Sequence, residues 1–427
     1  MPDSGFTDKS GTLHADNVSL TKLAEAYGTP AYIYSARRIR SNIRRLQEAF
    51  RQTLPAGNQP LIAFACKACG NIGILNLLAA QDAGADVVSG GELRRALAAG
   101  IPANKIVFSG VGKTAGEISL ALESGILQLN IESKPEAELI ADIAVHRGKK
   151  APVAFRFNPD VAADTHEKIS TGRRENKFGL TESALKPLYE WASRQPSLSL
   201  QGLSLHIGSQ ITMLEPFGKA FEKLAALTRD LKSQNLPVPC LDLGGGLGIA
   251  YGRERAPSLD RYAAMIRDLI APLDTALIVE PGRLLTGDAG VLLAKVLYVK
   301  ETGTRRIVIL DAGMNDFVRP AMYEAFHPIR PVARAGGAET LCDVTGPVCE
   351  TGDTFTRDCL LPPLSGGDLV AIMAAGAYGF SMASNYNTRP LPPEILVDGA
   401  RHTLIRQRQG IQDILEGEHI PDWPDDT

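Results

Sequence analysis

Residues 61–110 read LIAFACKACGNIGILNLLAAQDAGADVVSGGELRRALAAGIPANKIVFSG, and this stretch decides the fold. Three short apolar runs stand out: LIAFA (61–65), ADVVS (85–89) and KIVFS (105–109). Each is the length of a buried strand. Between them ILNLLAAQDAG and GELRRALAAG place apolar residues at helical spacing and close on glycine. Strands of ~5 residues alternating with helices of ~10–15 residues indicate βαβ units and a parallel sheet.

Working outward, the same alternation continues through LQLNI (127–131), PVAFRF (152–157), GLSLH (202–206), CLDLG (240–244) and ALIVE (276–280). Eight such runs over ~225 residues match the count and length of a (β/α)8 barrel, the α/β architecture expected here for residues 36–285. A doubly wound open sheet is the alternative, although it rarely supplies eight units this regular. One connection is long and polar: NPDVAADTHEKISTGRRENKFGL (158–180). Long ordered loops in compact domains are often functional, so it reads either as a lid or as a neutral insertion. After residue 285 the pattern turns β-like, in VLLAKVLYVKE, RRIVILDA, LCDVTGPVCE and DLVAIMAA, with turns at GTRR, GG and PP. PAYIYS (30–35) is a further strand outside the eight. A second, mostly β domain is expected from 1–35 plus 286–427.

The bulk properties fit a two-domain globular protein. The 427 residues exceed one ordinary core. Hydrophobic residues make up 44% and charged residues 22%, an ordinary globular mix. A net charge of −3 provides no basic field for nucleic acid or an anionic membrane. The polar start MPDSGFTDKSG lacks the apolar core of a secretory signal, and no apolar run approaches the ~20 residues of a spanning helix. Six scattered cysteines, 66, 69, 240, 342, 349 and 359, are not a disulfide framework and suit a reducing, cytoplasmic setting. Cys66 and Cys69 form C-x-x-C, but no second ligand pair accompanies them, so no metal site is expected.

Barrel enzymes build active sites at the C-terminal ends of their strands. Lys67 follows the first run, His206 ends the sixth, Gly244–Gly246 follow the seventh, and Glu280 ends the eighth just before Arg283. Lys67 is either a snorkelling surface cation or an amine for carbonyl chemistry. The three glycines are either a tight turn or a backbone cradle for phosphate, which barrels often bind after strands seven and eight. A nicotinamide fingerprint fits poorly, because it should open an early βαβ unit. His206 is either structural or a flat ring against a cofactor, and Ser209 is placed to donate to phosphate. Glu280 is costly to bury unless paired, and a protonated pyridine nitrogen would be such a partner.

Lys67 in FACKA, HIGSQ, DLGGGLGI and EPGR, in this order and spacing, resemble the fold-type III pyridoxal-phosphate (PLP) decarboxylases. RPAMYEAFHPI (319–329), GPVCETGD (346–353) and GAYGFSMASNYN (376–387) narrow the likeness to the diaminopimelate decarboxylase family. So do VSLTKLAEAYGTPAYIYS near the N-terminus and the lid segment with THEKISTG and KFGL. The resemblance covers nearly the whole chain. It implies that Lys67 is the Schiff-base lysine, that His206 stacks on the PLP ring, and that Glu280 faces the pyridine nitrogen. It implies Ser209, Gly245, Gly246 and Tyr378 at the phosphate, and Arg283, Arg319 and Tyr323 at a distal substrate carboxylate. Glu350 would take the distal ammonium and Cys349 would stand near the reacting carbon, both supplied by the partner subunit of a homodimer. Asp86 and Arg156 resemble supporting residues at the mouth. Cys69 departs from the Asn common at that position.

The implied reaction is meso-2,6-diaminopimelate to L-lysine and CO2. Three rivals share the fold or cofactor. A decarboxylase for ornithine, lysine, arginine or carboxynorspermidine needs no distal carboxylate clamp, which Arg283, Arg319 and Tyr323 would form. A racemase usually has a less electron-demanding ring, which Glu280 opposes. A non-catalytic PLP-binding protein is little more than the barrel, which the second domain opposes.

Overall fold

The computed structural model describes residues 5–162, 177–252, 254–303, 305–334 and 336–423. The THEKISTG part of the long connection therefore lies outside the described residues. The chain divides into two compact units.

In the first unit, residues 35–289 form a closed barrel of eight parallel strands. The strands are β1 (Leu61–Ala65), β2 (Gly84–Val87), β3 (Ile106–Phe108), β4 (Gln128–Ile131), β5 (Ala151–Phe157), β6 (Leu198–Leu205), β7 (Cys240–Asp242) and β8 (Ala276–Val279). Neighbours in sequence are neighbours in the barrel, and β8 closes on β1 through Ile278 opposite Leu61 and Val279 opposite Ile62. The open-sheet alternative is thereby excluded. Ala63, Val107 and Ile278 form a small apolar cluster with Leu61, Leu127 and Cys240 packed against it.

The connecting helices start where the sequence provides caps. Asn71, Ser89 and Ser133 accept backbone N–H bonds at the first turns of Ile72–Ala79, Gly90–Ala98 and Lys134–His146. Thr114 and Glu117 form a reciprocal capping box for Ala115–Ser124, which ends on left-handed Gly125. Each cap satisfies donors that the helix leaves unpaired, and holds the preceding loop at the strand's C-terminal end. The helix Ala36–Thr53 precedes β1 and meets the last long helix, Leu259–Leu269, through Phe50 against Tyr262 at 6.3 Å.

The second unit holds residues 6–34, 290–375 and 382–423. The long strand Gly290–Thr302 is its spine. It pairs antiparallel with Ala31–Ser35, Arg305–Leu310 and Leu369–Ile372. The sheet extends through Thr340–Thr345 and Thr354–Leu361 on one side, and Glu394–Asp398 and Arg401–Arg406 on the other. A three-stranded sheet, Phe6–Lys9, Thr12–Ala15 and Val18–Ser19, packs Phe6, Leu13 and Val18 into a core with Ile33, Val291, Leu293 and Ile395. The segment Gly376–Ser381, read from sequence within the C-terminal domain, belongs to the barrel unit. Its Tyr378 amide donates to the Ala68 carbonyl at 2.8 Å, which ties it to the turn after β1.

Candidate active site

Lys67 sits on the 3₁₀ turn Cys66–Ala68 immediately after β1. Its Nζ donates to Asp86 Oδ2 at 2.6 Å, and Asp86 is fully buried near the end of β2. The register explains the meeting, because Ala65 lies opposite Asp86. Burial alone would lower the Lys67 pKa. The Asp86 carboxylate outweighs it and holds the ammonium above the usual lysine range.

Lys67, Ser109, Asn130, Arg156, Ser204, His206 and Glu280 line a cavity of about 420 Å³. Phe178, from the KFGL end of the long connection, is also in its wall and lies 4.8 Å from the Arg156 guanidinium. Arg156 is fixed by Glu132 at 2.9 Å.

His206 follows β6. Its Nδ1 accepts the Gly245 N–H at 3.2 Å, so a neutral ring carries its proton on Nε2. Burial and the nearby Arg156 and Lys67 charges push its pKa well below the ordinary value. Gly244 and Gly246 have φ of 66° and 110°, and a Cβ on Gly246 would lie 2.5 Å from the Gly208 carbonyl oxygen. The loop needs glycine both for its backbone conformation and for this close approach.

Arg283, on the short helix Arg283–Thr286, donates to Ser209 Oγ at 3.1 Å and to the Tyr251 hydroxyl, and lies 4.8 Å from the Tyr378 ring centre. Ser209 and Arg283, assigned from the resemblance to opposite ends of the ligand, therefore touch each other. Glu280 is buried and hydrogen-bonded with Asp242. Burial, then the Asp242 and Asp86 charges, push its pKa well above the carboxylate range.

The other four expected residues are in the second unit. Arg319 is buried on the helix Arg319–Tyr323, donates through Nε to His327 Nε2 at 3.3 Å, and lies 5.6 Å from the Tyr323 ring centre. Cys349 and Glu350 are exposed on a turn. Asn387 Oδ1 accepts the Cys349 N–H, and Tyr386 is hydrogen-bonded to Glu350. Cys66 and Cys69 are buried, and neither is in a disulfide. Asn71, near Cys69, caps a helix.

Residues 40–287 match the family model for the pyridoxal-binding domain of pyridoxal-dependent decarboxylases. The diaminopimelate decarboxylase of Zymomonas mobilis is 46% identical over 98% of this chain and 99% of its own. The chain belongs to the diaminopimelate decarboxylase family. The enzyme of that name from Pseudomonas aeruginosa is 44% identical, covering 97% and 99% of the two chains. Among solved structures, M. jannaschii diaminopimelate decarboxylase superposes with a TM-score of 0.93 at 39% identity, over 98% and 99%. The Helicobacter pylori enzyme complexed with L-lysine gives 0.89 at 42%, over 93% and 98%.

The residues present fit the cofactor of this family. PLP needs an amine at its aldehyde and partners for a phenolic oxygen, a ring nitrogen and a phosphate. Lys67 and Glu280 provide the amine and a carboxyl. Asp86 Oδ1, Ser204 Oγ and Arg283 Nε are buried without a hydrogen-bond partner among the described residues. Buried polar atoms of this kind are costly unless a ligand satisfies them.

Sequence reading missed several residues in this unit: Gln128, Asn130, Asp242, Ser204 and Tyr251. Polar residues inside otherwise apolar runs were the available signal: Gln128 and Asn130 in LQLNI and Ser204 and His206 in GLSLH are two apart, which puts each pair on one face of a strand, and Asp242 stands alone in CLDLG.

Proposed function

We propose that the chain decarboxylates meso-2,6-diaminopimelate to L-lysine and CO2, using PLP held on Lys67. The observation that carries this reading is the amine of Lys67, paired with Asp86, sharing one cavity with Glu280 in a chain of this family. When bound, PLP supplies an electron sink for the electron pair left as CO2 departs.

Each protein group has a defined task. The Lys67 amine must lose a proton to react, and Asp86, whose Oδ2 lies 2.6 Å from its Nζ, orients it and sets the pH at which that proton leaves. The neutral His206 ring offers a flat face with its Nδ1 already occupied by the Gly245 N–H. Glu280 would face the ring nitrogen. Ser209, the loop at Gly245 and Gly246, and Tyr378 would hold the phosphate. Arg283, Arg319 and Tyr323 grip the distal carboxylate, Glu350 takes the distal ammonium, and Cys349 stands near the reacting carbon. Holding the scissile bond in one orientation selects decarboxylation over other outcomes.

The family resemblance at Cys349-Glu350 supports a homodimer in which each subunit completes the other's site. Six cysteines, none in a disulfide, suit a cytoplasmic enzyme. Among the described residues, no helix is long and apolar enough to cross a membrane. The test is incubation of the PLP-loaded protein with diaminopimelate, lysine, ornithine and arginine, with identification of the amine product and CO2. Lysine formed from diaminopimelate is the expected result. A diamine formed from lysine or ornithine, with diaminopimelate untouched, would overturn the reading.

A further inference from the structure

The barrel unit contains a line of buried polar side chains of which only Glu280 has a role above. Gln128 Nε2 donates to Asn130 Oδ1 at 2.8 Å. Asn130 Nδ2 donates to Ser109 Oγ at 3.1 Å and to Asp242 Oδ2 at 3.2 Å. Ser109 Oγ in turn reaches Glu280 Oε1 at 3.4 Å. The Gly244 N–H donates to Asp242 Oδ1 at 3.1 Å. Asp242 and Glu280 are hydrogen-bonded to each other. The line runs from β4 past the end of β3 to β7 and the end of β8, and all five side chains are buried.

Two carboxyl groups can share a hydrogen bond only if one of them carries a proton. Asp242 receives one N–H on each oxygen, so it is the acceptor and the proton resides on Glu280. We infer that Asp242 is a positioning residue: fixed as an acceptor by Asn130 and the Gly244 amide, it keeps a proton on Glu280 and so sets the protonation of the ring nitrogen that Glu280 faces. The inference rests on the PLP part of the proposed function and is independent of the substrate.

The electrostatics agree with this geometry. Burial pushes Asp242 up to about 6, while its bonds to Glu280, Gly244 and Asn130 pull the other way. Glu280 is raised further, by burial and then by Asp242 and Asp86, against the opposing charge of Lys67. Tyr262 and Cys240 also feel the Asp242 charge, and both stay neutral because burial raises them to begin with. A negative charge behind Glu280 makes the pair a stronger base, so a cationic ring nitrogen beside it holds its proton to higher pH.

Two measurements test the inference. Infrared spectra of the ligand-free protein at neutral pH should show a buried protonated-carboxyl band that Glu280→Gln removes and Asp242→Asn shifts. The holoenzyme loaded with ring-¹⁵N PLP should show, by NMR, a ring nitrogen that loses its proton at a pH lower by about one unit or more in Asp242→Asn. Should Asp242→Asn fail to fold, Asn130→Ala removes the side-chain donor alone and should move the same titration in the same direction by less. Absence of the band in the wild-type protein overturns the inference, as does a ring-nitrogen titration unchanged in the variant. Failure of the function reading looks different: PLP then leaves no visible band, while the infrared signature of the pair persists.

Discussion

The Lys67 ammonium lies 2.6 Å from Asp86 Oδ2, while the other oxygen of that buried carboxylate has no hydrogen-bond partner among the described residues. Adjacent strand ends produce the pairing, since β1 delivers Lys67 one turn beyond Ala65 and Ala65 is in register with Asp86. Asp86 thus supplies the charge that keeps Lys67 protonated in the free protein, against the opposing effect of burial.

Borohydride reduction of the PLP-loaded protein should fix the cofactor on the peptide containing Lys67. A label on any other lysine would refute the assignment. In Asp86→Asn, burial acts on the amine with its nearest counter-charge gone, so the Lys67 pKa falls. The pH dependence of PLP attachment, followed by visible absorbance, should move to lower pH. An unmoved profile would show that Asp86 does not control this amine.

His206 contributes a pH dependence of known sign. Its folded pKa lies below the ordinary 6.5, so the unfolded chain binds a proton first as pH falls. The stability it contributes is present above pH 6.5 and lost below it, down through the folded pKa. Thermal melts of the ligand-free protein should therefore show the wild type losing stability relative to His206→Gln between pH 7.5 and 5.5. Parallel profiles for the two proteins would mean that His206 takes up its proton in the folded protein as readily as in the unfolded chain.

Gly246→Ala places a Cβ 2.5 Å from a backbone oxygen at a φ of 110°. Backbone cannot swing aside as a side chain can, and strain of this kind costs on the order of 1–3 kcal/mol. PLP affinity, measured by fluorescence titration, should fall by about tenfold or more. Wild-type affinity in this variant would show that the loop's path does not matter for the phosphate.

The carboxylate clamp is tested at Arg319. A charge-assisted contact contributes about 1.5–3 kcal/mol, so Arg319→Ala should raise KM for diaminopimelate by roughly ten- to a hundredfold. Wild-type protein should discriminate strongly against lysine, which has the distal amine without the carboxylate. Equal kcat/KM for lysine and diaminopimelate would remove the clamp.

Sharing of the site across a dimer is tested by complementation. Lys67→Ala and Cys349→Ala subunits, each inactive alone, should regain activity when mixed, because one hybrid site keeps both residues. No recovery after demonstrated subunit exchange would show that each chain builds its own site.

The sequence by itself determined the eight βα units, and the pairing of β8 with β1 closed them into a barrel. Its eight strands recur with buried apolar runs, glycine stops and capping residues such as Ser89, Thr114 and Ser133, all local signals that survive without tertiary context. Family motifs singled out Lys67, His206, the glycine loop and Glu280 as candidates. The strands Thr354–Leu361 and Arg401–Arg406 were not legible, because exposed sheet positions carry polar residues and alternation there is weak. Nor did order in the chain place Tyr378 with the barrel unit; hydrogen bonds from Gly376 to Gly287 and from Tyr378 and Ser381 to Ala68 tie its segment there. The tertiary structure alone decided which acids meet. Asp86 and Lys67 are 19 residues apart in sequence, and Asn130 and Asp242 are 112 apart. Barrel closure brings distant strands side by side, and burial then makes each pairing consequential by removing the water that would otherwise screen it.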